Sequence, residues 1–318
     1  MPELPEVETI RRGLLPRVLG LRIHRIEVGD RKIFQSDPSC LETELPGQIV
    51  HALRRRGKFL VFDLDRAHLV VHLGMTGQLT LRDPERVDDA RFLRSPLTGL
   101  ERARQHAPDR HTHLQVHFVD GRILMLRDIR KFGKVHLLDR DGISLDQLFA
   151  HLGWEPLSSG YQLEPFLEKM KRRPRIQVKS LLLDQKFVAG IGNIYADEAL
   201  FEAGIRPTRR VGSLRRYEKV RLFKSIPRVL EKGIFFGGTS LRDYVDSNGD
   251  VGRHQEELNV YGRSGQACRR CGAPVVKIVV GQRGTHFCPC CQSARPGRRS
   301  SREASTRSAR VAESPGLC

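Results

Sequence analysis

The chain has 318 residues, enough for about two domains with a sizeable core, and 39% of them are hydrophobic. No apolar run reaches the roughly 18 residues that a membrane span requires and no signal peptide opens the sequence, so we expect a cytoplasmic protein. Lysine and arginine number 55 against 37 aspartate and glutamate, and the resulting charge of +18 indicates a polyanionic partner. Nucleic acid is favoured over membrane because no basic amphipathic helix stands out.

The first predicted element is a helix that begins at Pro2-Glu3-Leu4-Pro5-Glu6-Val7-Glu8 and ends near Pro16 and Gly20. We expect Met1 to be removed because the next residue is small. Pro2 would then be a terminal secondary amine, which titrates near about pH 8 and can attack an electrophilic carbon. Glu3 and Glu6 would lie within a turn of that amine, available for acid/base work. Acidic residues and proline are also typical of an ordinary helix start, so catalysis and helix capping remain alternatives here.

Short β-type segments separated by turn signals follow this helix, which predicts a β-sandwich or flattened barrel. They span residues 21–28, 49–53, 59–63, 69–73, 78–81, 114–119 and 122–126. Residues 83–110 are polar, lack a clear period and are expected to form a long surface loop or insertion.

The pattern becomes helical in the second half of the chain. Helices are predicted at 163–172, 178–184, 194–202 and 214–232, and strands return near 258–261 and in the cysteine-rich segment. We therefore expect a β-sandwich domain over 1–150, a linker over 151–162, a helical domain over 163–257, a metal-binding segment over 258–292 and a disordered basic tail over 293–318.

The cysteines predict a metal site. Cys268-x2-Cys271 and Cys288-x2-Cys291 are separated by sixteen residues, a spacing that fits one tetrahedral zinc ion held by two knuckles. Four protein ligands leave no open position, so the site is expected to be structural. Cys290 offers an alternative ligand, although Cys288 with Cys291 gives the better gap.

Four turns carry further candidates for contacts with nucleic acid. Residues 187–195 contain two glycines and Asn193, which can bring backbone amides to a phosphate or form only a turn. Met75 and Phe132, the latter beside Arg130, lie at predicted turn tips, where they either insert between bases or pack in the core. Arg283 lies in a predicted hairpin tip and is either solvated or a phosphate ligand.

Together these motifs resemble the bacterial formamidopyrimidine-DNA glycosylases, base-excision repair enzymes for oxidised purines. The resemblance runs from residue 2 to about residue 292. The motifs that carry it are Pro2-Glu3-Leu4-Pro5-Glu6-Val7-Glu8, Gly57-Lys58, His72-Leu73-Gly74-Met75, Arg130-Lys131-Phe132-Gly133, Gly190-Ile191-Gly192-Asn193-Ile194-Tyr195, Val260-Tyr261-Gly262-Arg263 and the four cysteines. It implies an α+β fold with an N-terminal β-sandwich led by the catalytic helix, a helix-two-turn-helix domain and a C-terminal zinc-ribbon finger.

The resemblance also implies roles for individual residues. Pro2 would attack C1′ of the damaged nucleotide to form a Schiff base, with Glu3 as the acid/base partner and Glu6 in support. Lys58 would assist β-elimination, and Arg283 would contact phosphate and assist δ-elimination. The residues implied in DNA contacts are His72, His111, Arg173, Lys179 and Asn193 at phosphates, and Met75, Arg130 and Phe132 in the gap left by the extruded base.

Two other functions remain open from the sequence. An endonuclease VIII-like enzyme for oxidised pyrimidines would share the fold, but such enzymes typically begin Pro-Glu-Gly-Pro-Glu, and this chain has Leu4. A non-catalytic zinc-ribbon DNA-binding protein would keep the fold without the chemistry. In each case we expect a monomer that binds double-stranded DNA and is associated with the bacterial nucleoid.

Overall fold

A computed structural model of the protein describes residues 1–84, 108–139, 145–241 and 243–294. Most of the predicted insertion and nearly all of the predicted tail lie outside these residues. Among the described helices, none is both long enough and apolar enough to cross a membrane.

The first lobe is a helix packed on two four-stranded antiparallel sheets. Helix α1, Leu4–Val18, is followed by a short helix α2, Pro38–Glu44. One sheet has the order β1-β6-β7-β5 and the other β2-β3-β4-β8. The strands are β1 (Ile23–Val28), β2 (Ala52–Arg56), β3 (Phe59–Asp63), β4 (Ala67–His72), β5 (Gly77–Arg82), β6 (Thr112–Phe118), β7 (Ile123–Asp128) and β8 (Lys134–Asp139). Side chains from both sheets and from α1 form one buried core, which confirms the predicted sandwich.

The second lobe is helical. Before it, a short helix α3, Leu145–Phe149, packs on the outer face of the β2-β3-β4-β8 sheet of the first lobe. The helices that follow it are α4 (Leu163–Lys171), α5 (Val178–Leu183), α6 (Asn193–Glu202) and α7 (Arg216–Phe235). Their apolar faces form a separate core that also contains Leu4 from the start of α1. Since Val7, Ile10 and Leu14 lie in the first core, α1 is anchored in both lobes.

A two-stranded ribbon closes the described chain. Strands β9 (Val276–Val280) and β10 (Arg283–Phe287) are joined by Gly281 and Gln282, both with positive φ, as a tight hairpin turn requires. The strand predicted near residues 258–261 is wrong. The Glu198 carboxylate accepts backbone N–H bonds there from Asn259, Val260 and Tyr261, and those bonds hold the segment as a turn.

Candidate active site

Glu3 joins the two lobes at the N-terminus of α6. Its carboxylate accepts backbone N–H bonds from Gly192 at 2.7 Å, Ile194 at 3.0 Å and Tyr195 at 3.4 Å. A negative charge is favoured at a helix N-terminus, where N–H groups are free to donate. A Cβ atom at Gly192 would lie 2.4 Å from the carboxyl carbon of Glu3, so this contact requires glycine.

Glu6 lies one helical turn further along and is also buried. It accepts hydrogen bonds of 2.8 Å from the backbone N–H groups of Glu3 and Thr239 and from the Tyr195 hydroxyl. Burial, followed by the charge of Glu3, raises the pKa of Glu6, and the hydrogen bonds act in the opposite direction. The carboxyl group is therefore easier to protonate than an exposed glutamate.

Pro2, which immediately precedes Glu3, is buried, whereas Met1 is 53% exposed. Leu4, two residues after Pro2, donates its backbone N–H to the carbonyl of Gly190 at 3.0 Å. The second lobe thus holds the start of α1, and loss of the exposed Met1 would leave the Pro2 nitrogen as a fixed amine.

Lys58 lies with Gly57 in the turn between β2 and β3 and is only 7% exposed. Burial lowers the pKa of Lys58, Glu3 and Glu6 oppose that change, and Arg283 adds to it. The charges of Glu3, Glu6 and Arg283, from the helix start and the ribbon, thus all act on Lys58 in the turn. A lysine with a lowered pKa is suited to proton transfer near neutral pH.

The Arg283 hairpin is held from below by α5 and α6. Lys179 is fully buried, forms a 2.7 Å ion pair with Asp197 and donates to the Gly284 carbonyl at 3.0 Å. Asn193 donates to the same carbonyl at 2.9 Å. Arg283 itself is exposed. A phosphate contact by Lys179 stays a prediction, and it would require the ammonium group to leave this enclosure.

The other residues predicted at phosphates have different surroundings. His72 accepts a 3.1 Å hydrogen bond from the Gly74 backbone, and burial lowers the pKa of its imidazole to about 4, so the ring is neutral at pH 7. His111 is half-buried, and burial lowers its pKa as well. Arg173 forms an ion pair with Asp184 at the surface.

Met75, Arg130 and Phe132 form one exposed cluster rather than part of the core. Met75 is 39% and Phe132 50% exposed. The Arg130 guanidinium lies 4.6 Å from the Phe132 ring centroid and 3.6 Å from the Met75 sulfur. Buried Asp128 fixes the two loops, because it accepts hydrogen bonds from Thr76 at 2.5 Å and from the Gly133 backbone at 2.7 Å.

The predicted metal ligands converge. The sulfur atoms of Cys268, Cys271, Cys288 and Cys291 all lie within 4.8 Å of one another, which fits one tetrahedral zinc ion in a closed, structural site. Cys290 is exposed and lies outside this set. The zinc ion would fix the loop ends of the ribbon that carries Arg283.

Several residues of the site escaped sequence reasoning. Tyr195, Thr239 and His254 surround Glu6, Asp128 holds the exposed cluster, and Asp197 neutralises Lys179. Asp197 left a signal, since it and Glu198 are adjacent acidic residues flanked by apolar residues of the helix.

Comparisons with known proteins cover almost all of the described chain. The model of the formamidopyrimidine-DNA glycosylase N-terminal domain matches residues 1–135, and that of the glycosylase H2TH domain matches residues 152–245. The zinc finger found in FPG and IleRS matches residues 265–294. The three matches follow the order of the sandwich, the helical lobe and the ribbon.

Curated relatives and solved structures agree with these matches. The formamidopyrimidine-DNA glycosylase of Cytobacillus firmus is 42% identical over 92% of this chain and 100% of its own length. That of Symbiobacterium thermophilum is 42% identical over 99% of this chain and 98% of its own length. A variant of the Lactococcus lactis enzyme, solved with DNA that contains Fapy-dG, has a TM-score of 0.77 and 36% identity over 92% of this chain and all of its own.

A second Lactococcus lactis structure contains DNA with an abasic site and has a TM-score of 0.76 at 36% identity over 91% of this chain and 99% of its own. Domain order, sequence identity and backbone geometry thus agree with the motifs at Pro2, Lys58 and the four cysteines. The chain therefore belongs to the formamidopyrimidine-DNA glycosylase family, the zinc-finger DNA glycosylases of base excision repair.

Proposed function

We propose that this protein excises oxidised purines, namely 8-oxoguanine and formamidopyrimidines, from double-stranded DNA and then cleaves the strand by β,δ-elimination. The observation that carries this proposal is the convergence of Glu3, Glu6 and Lys58 at the buried start of α1, where Pro2 lies. Related enzymes have been solved with Fapy-dG and abasic DNA, which supports the same substrate class for this chain.

In the first step the lone pair of the Pro2 nitrogen forms a bond to C1′, and the glycosidic bond breaks with its electrons going to the departing base. The proline nitrogen then loses its proton and the ring oxygen gains one. The bond from C1′ to that oxygen breaks as the nitrogen lone pair forms the C1′=N bond, which gives an open-chain iminium. Glu3 would move these protons, and Glu6 would support it.

Lys58 and Arg283 would act after base release. Lys58 would assist removal of the C2′ proton, so that the 3′ phosphate leaves by β-elimination, and its lowered pKa suits that task. Arg283 would bind phosphate and assist the second elimination. Its exposed position on a braced hairpin supports this role.

DNA would be held by contacts that position the backbone and by side chains that fill the emptied stack. Met75, Arg130 and Phe132 would fill the gap, which their joint exposure supports. The proposed phosphate contacts are His72, His111, Arg173, Lys179 and Asn193. The charge of +18 would make binding fall steeply with salt.

We also infer a function for each segment of the chain. Residues 1–150 would supply the nucleophile, and residues 163–257 would form the second wall of the DNA-binding cleft. Residues 258–292 would carry the hairpin that binds phosphate. Residues 151–162 would link the two lobes, and residues 293–318 would form a basic tail. The protein would act as a monomer in the bacterial cytoplasm, associated with the nucleoid.

Borohydride trapping tests the proposal. A duplex with 8-oxoguanine opposite cytosine should give a covalent complex with the wild type and less of it with Pro2→Gly, whose terminal primary amine lacks the proline ring. A matched control keeps every residue but extends the N-terminus beyond Pro2, which converts the amine to an amide and should prevent trapping. Mass spectrometry of the mature N-terminus checks that Met1 is absent.

Two results would contradict parts of the proposal. Equal trapping by the protein extended beyond Pro2, in which the proline nitrogen is an amide, would overturn the role of Pro2. Faster excision from a duplex with thymine glycol opposite adenine would favour the endonuclease VIII-like alternative. The single-residue difference at Leu4 does not by itself decide between the substrates, so the two duplexes are compared side by side.

A further inference from the structure

The interlobe segment, residues 153–155, is attached to the second lobe by backbone hydrogen bonds. Gly153 donates its N–H to the Gln185 carbonyl at 2.8 Å, and Ala189 donates to the Trp154 carbonyl at 2.8 Å. Trp154 also forms a parallel bridge with Val188. Residues 153–154 therefore move with the turn before α6, which contacts Glu3.

Glu155, the next residue, reaches back into the first lobe. Its carboxylate accepts hydrogen bonds from Arg55 at 2.5 Å, from Arg56 at 3.3 Å and from the Gly57 backbone N–H at 2.9 Å. It thus binds three consecutive residues that end immediately before Lys58. The side chain is 17% exposed, so these contacts are shielded from water.

The same turn is fixed from two other directions. Arg55 forms a 3.0 Å ion pair with Glu8 of α1, and both side chains are only 8% exposed. Gly57 has φ of +56°, and a Cβ atom there would lie 3.2 Å from the side chain of Ala189. The backbone before Lys58 is therefore set jointly by α1, the interlobe segment and the second lobe.

From this geometry we propose that Glu155 is the positioning residue for Lys58. It holds Arg55, Arg56 and Gly57, and thereby fixes the backbone from which the Lys58 side chain extends. Glu155 does not touch the DNA and acts only through the turn. This inference rests on the proposed role of Lys58 in strand cleavage.

Single-turnover cleavage of a duplex with a preformed abasic site tests the proposal in the full-length, zinc-loaded protein. Glu155→Ala is expected to slow cleavage by at least tenfold at saturating DNA with little change in the DNA concentration for half-maximal rate. The limb of the pH–rate profile that depends on Lys58 should also move. Glu155→Asp, which keeps the charge, should recover part of the rate.

A double-variant cycle separates positioning from general damage. If Glu155 acts through Lys58, Glu155→Ala should have no further effect in a Lys58→Ala background. The matched control is Glu164→Ala, which removes a carboxylate from a 2.7 Å surface ion pair with Arg216 and should leave the rate unchanged. Thermal unfolding of each variant confirms that it is folded.

The contrary outcomes are distinct. Equal slowing by Glu155→Ala with and without the Lys58 side chain would overturn the positioning role alone, and so would a wild-type rate for Glu155→Ala. A wild-type rate for Lys58→Ala itself would overturn the proposed function of Lys58, and the role of Glu155 with it.

Discussion

The Tyr195 hydroxyl donates a 2.8 Å hydrogen bond to Oε1 of Glu6 and thereby connects α6 to the first turn of α1. Thr239 lies 3.2 Å from the same hydroxyl and 2.9 Å from Nδ1 of His254. The His254 ring stacks on Tyr195 with 5.4 Å between centroids and 10° between planes. Glu6 is therefore coupled to the residues that flank the loop over 240–253.

Replacement of Tyr195 by phenylalanine should raise the pKa of Glu6 further, because the hydroxyl bond favours the ionised carboxylate. A raised folded-state pKa gives Glu6 a stabilising contribution below about pH 4.5, which is lost as the pH rises through the folded-state value. The variant should therefore be less stable at pH 7, by roughly 1.5–3 kcal/mol for a bond to a charged group. Urea unfolding and the acid limb of the pH–rate profile measure both effects.

Tyr161→Phe is the matched control for that change. Its hydroxyl lies in the same lobe but donates to the backbone carbonyl of Phe223 at 3.4 Å. The control should leave the acid limb in place. An unshifted acid limb in Tyr195→Phe would contradict the coupling to Glu6.

His254→Phe should reduce the loss of stability on acidification. Burial lowers the pKa of His254 from 6.5 to about 4, so its contribution is present above about pH 6.5 and is lost as the pH falls toward about 4. Phenylalanine can keep the stacking on Tyr195 without gaining a proton. The free energy of unfolding should depend less steeply on pH in the variant, by up to about 3 kcal/mol across this window. Parallel curves for variant and wild type would show that His254 does not titrate in this way.

Removal of the metal should affect the ribbon first. Cys271→Ser should lower the zinc content from one ion per chain and disorder the hairpin that carries Arg283, because structural zinc sites contribute folding free energy directly. Cys290→Ser is the control, since this sulfur lies outside the ligand set and one zinc should remain. Metal analysis and DNA affinity would be measured on both variants. Loss of zinc from Cys290→Ser would reverse the assignment.

Phe132→Ala should impair base extrusion without lowering stability, because half of the ring is already exposed. A lost base-stacking contact is expected to slow single-turnover excision about tenfold. Fluorescence of a 2-aminopurine placed beside the lesion reports the extrusion itself. Val119→Ala, another exposed apolar truncation at 64% exposure, should change neither signal. A slower rate with unaltered fluorescence would argue against a role in extrusion.

The sequence predicted the elements whose signal is local. Residues 59–63 form β3 with the predicted bounds, since a short apolar run between turns needs no distant partner to be recognised. The four-cysteine set follows from spacing alone. Helix α2 was missed because only Leu41 of its residues is buried, which leaves no apolar period. Strand β8 was missed because it follows directly on a motif interpreted as a turn.

Contacts between distant residues could not be read from the chain. Asp128 and Thr76 are 52 residues apart, and Glu155 and Gly57 are 98 apart. The carboxylates of Asp128 and Glu155 belong to no local sequence pattern. Their partners here, the Thr76 hydroxyl and the Gly57 backbone N–H, are groups that any sequence contains. Burial of Lys179 likewise depends on Asp197 and on a carbonyl in the ribbon, and the resemblance, which implied a phosphate contact for this residue, gave no sign of it.

The cap that Glu3 places on α6 makes the position of its carboxylate depend on how the two lobes are packed. The three backbone donors lie in the second lobe, and their acceptor, the Glu3 carboxylate, belongs to the first. A displacement of one lobe relative to the other by the length of one hydrogen bond would therefore release the carboxylate. A compound that separates Glu3 from Gly192 would therefore displace the proposed acid/base carboxylate of the residue next to Pro2.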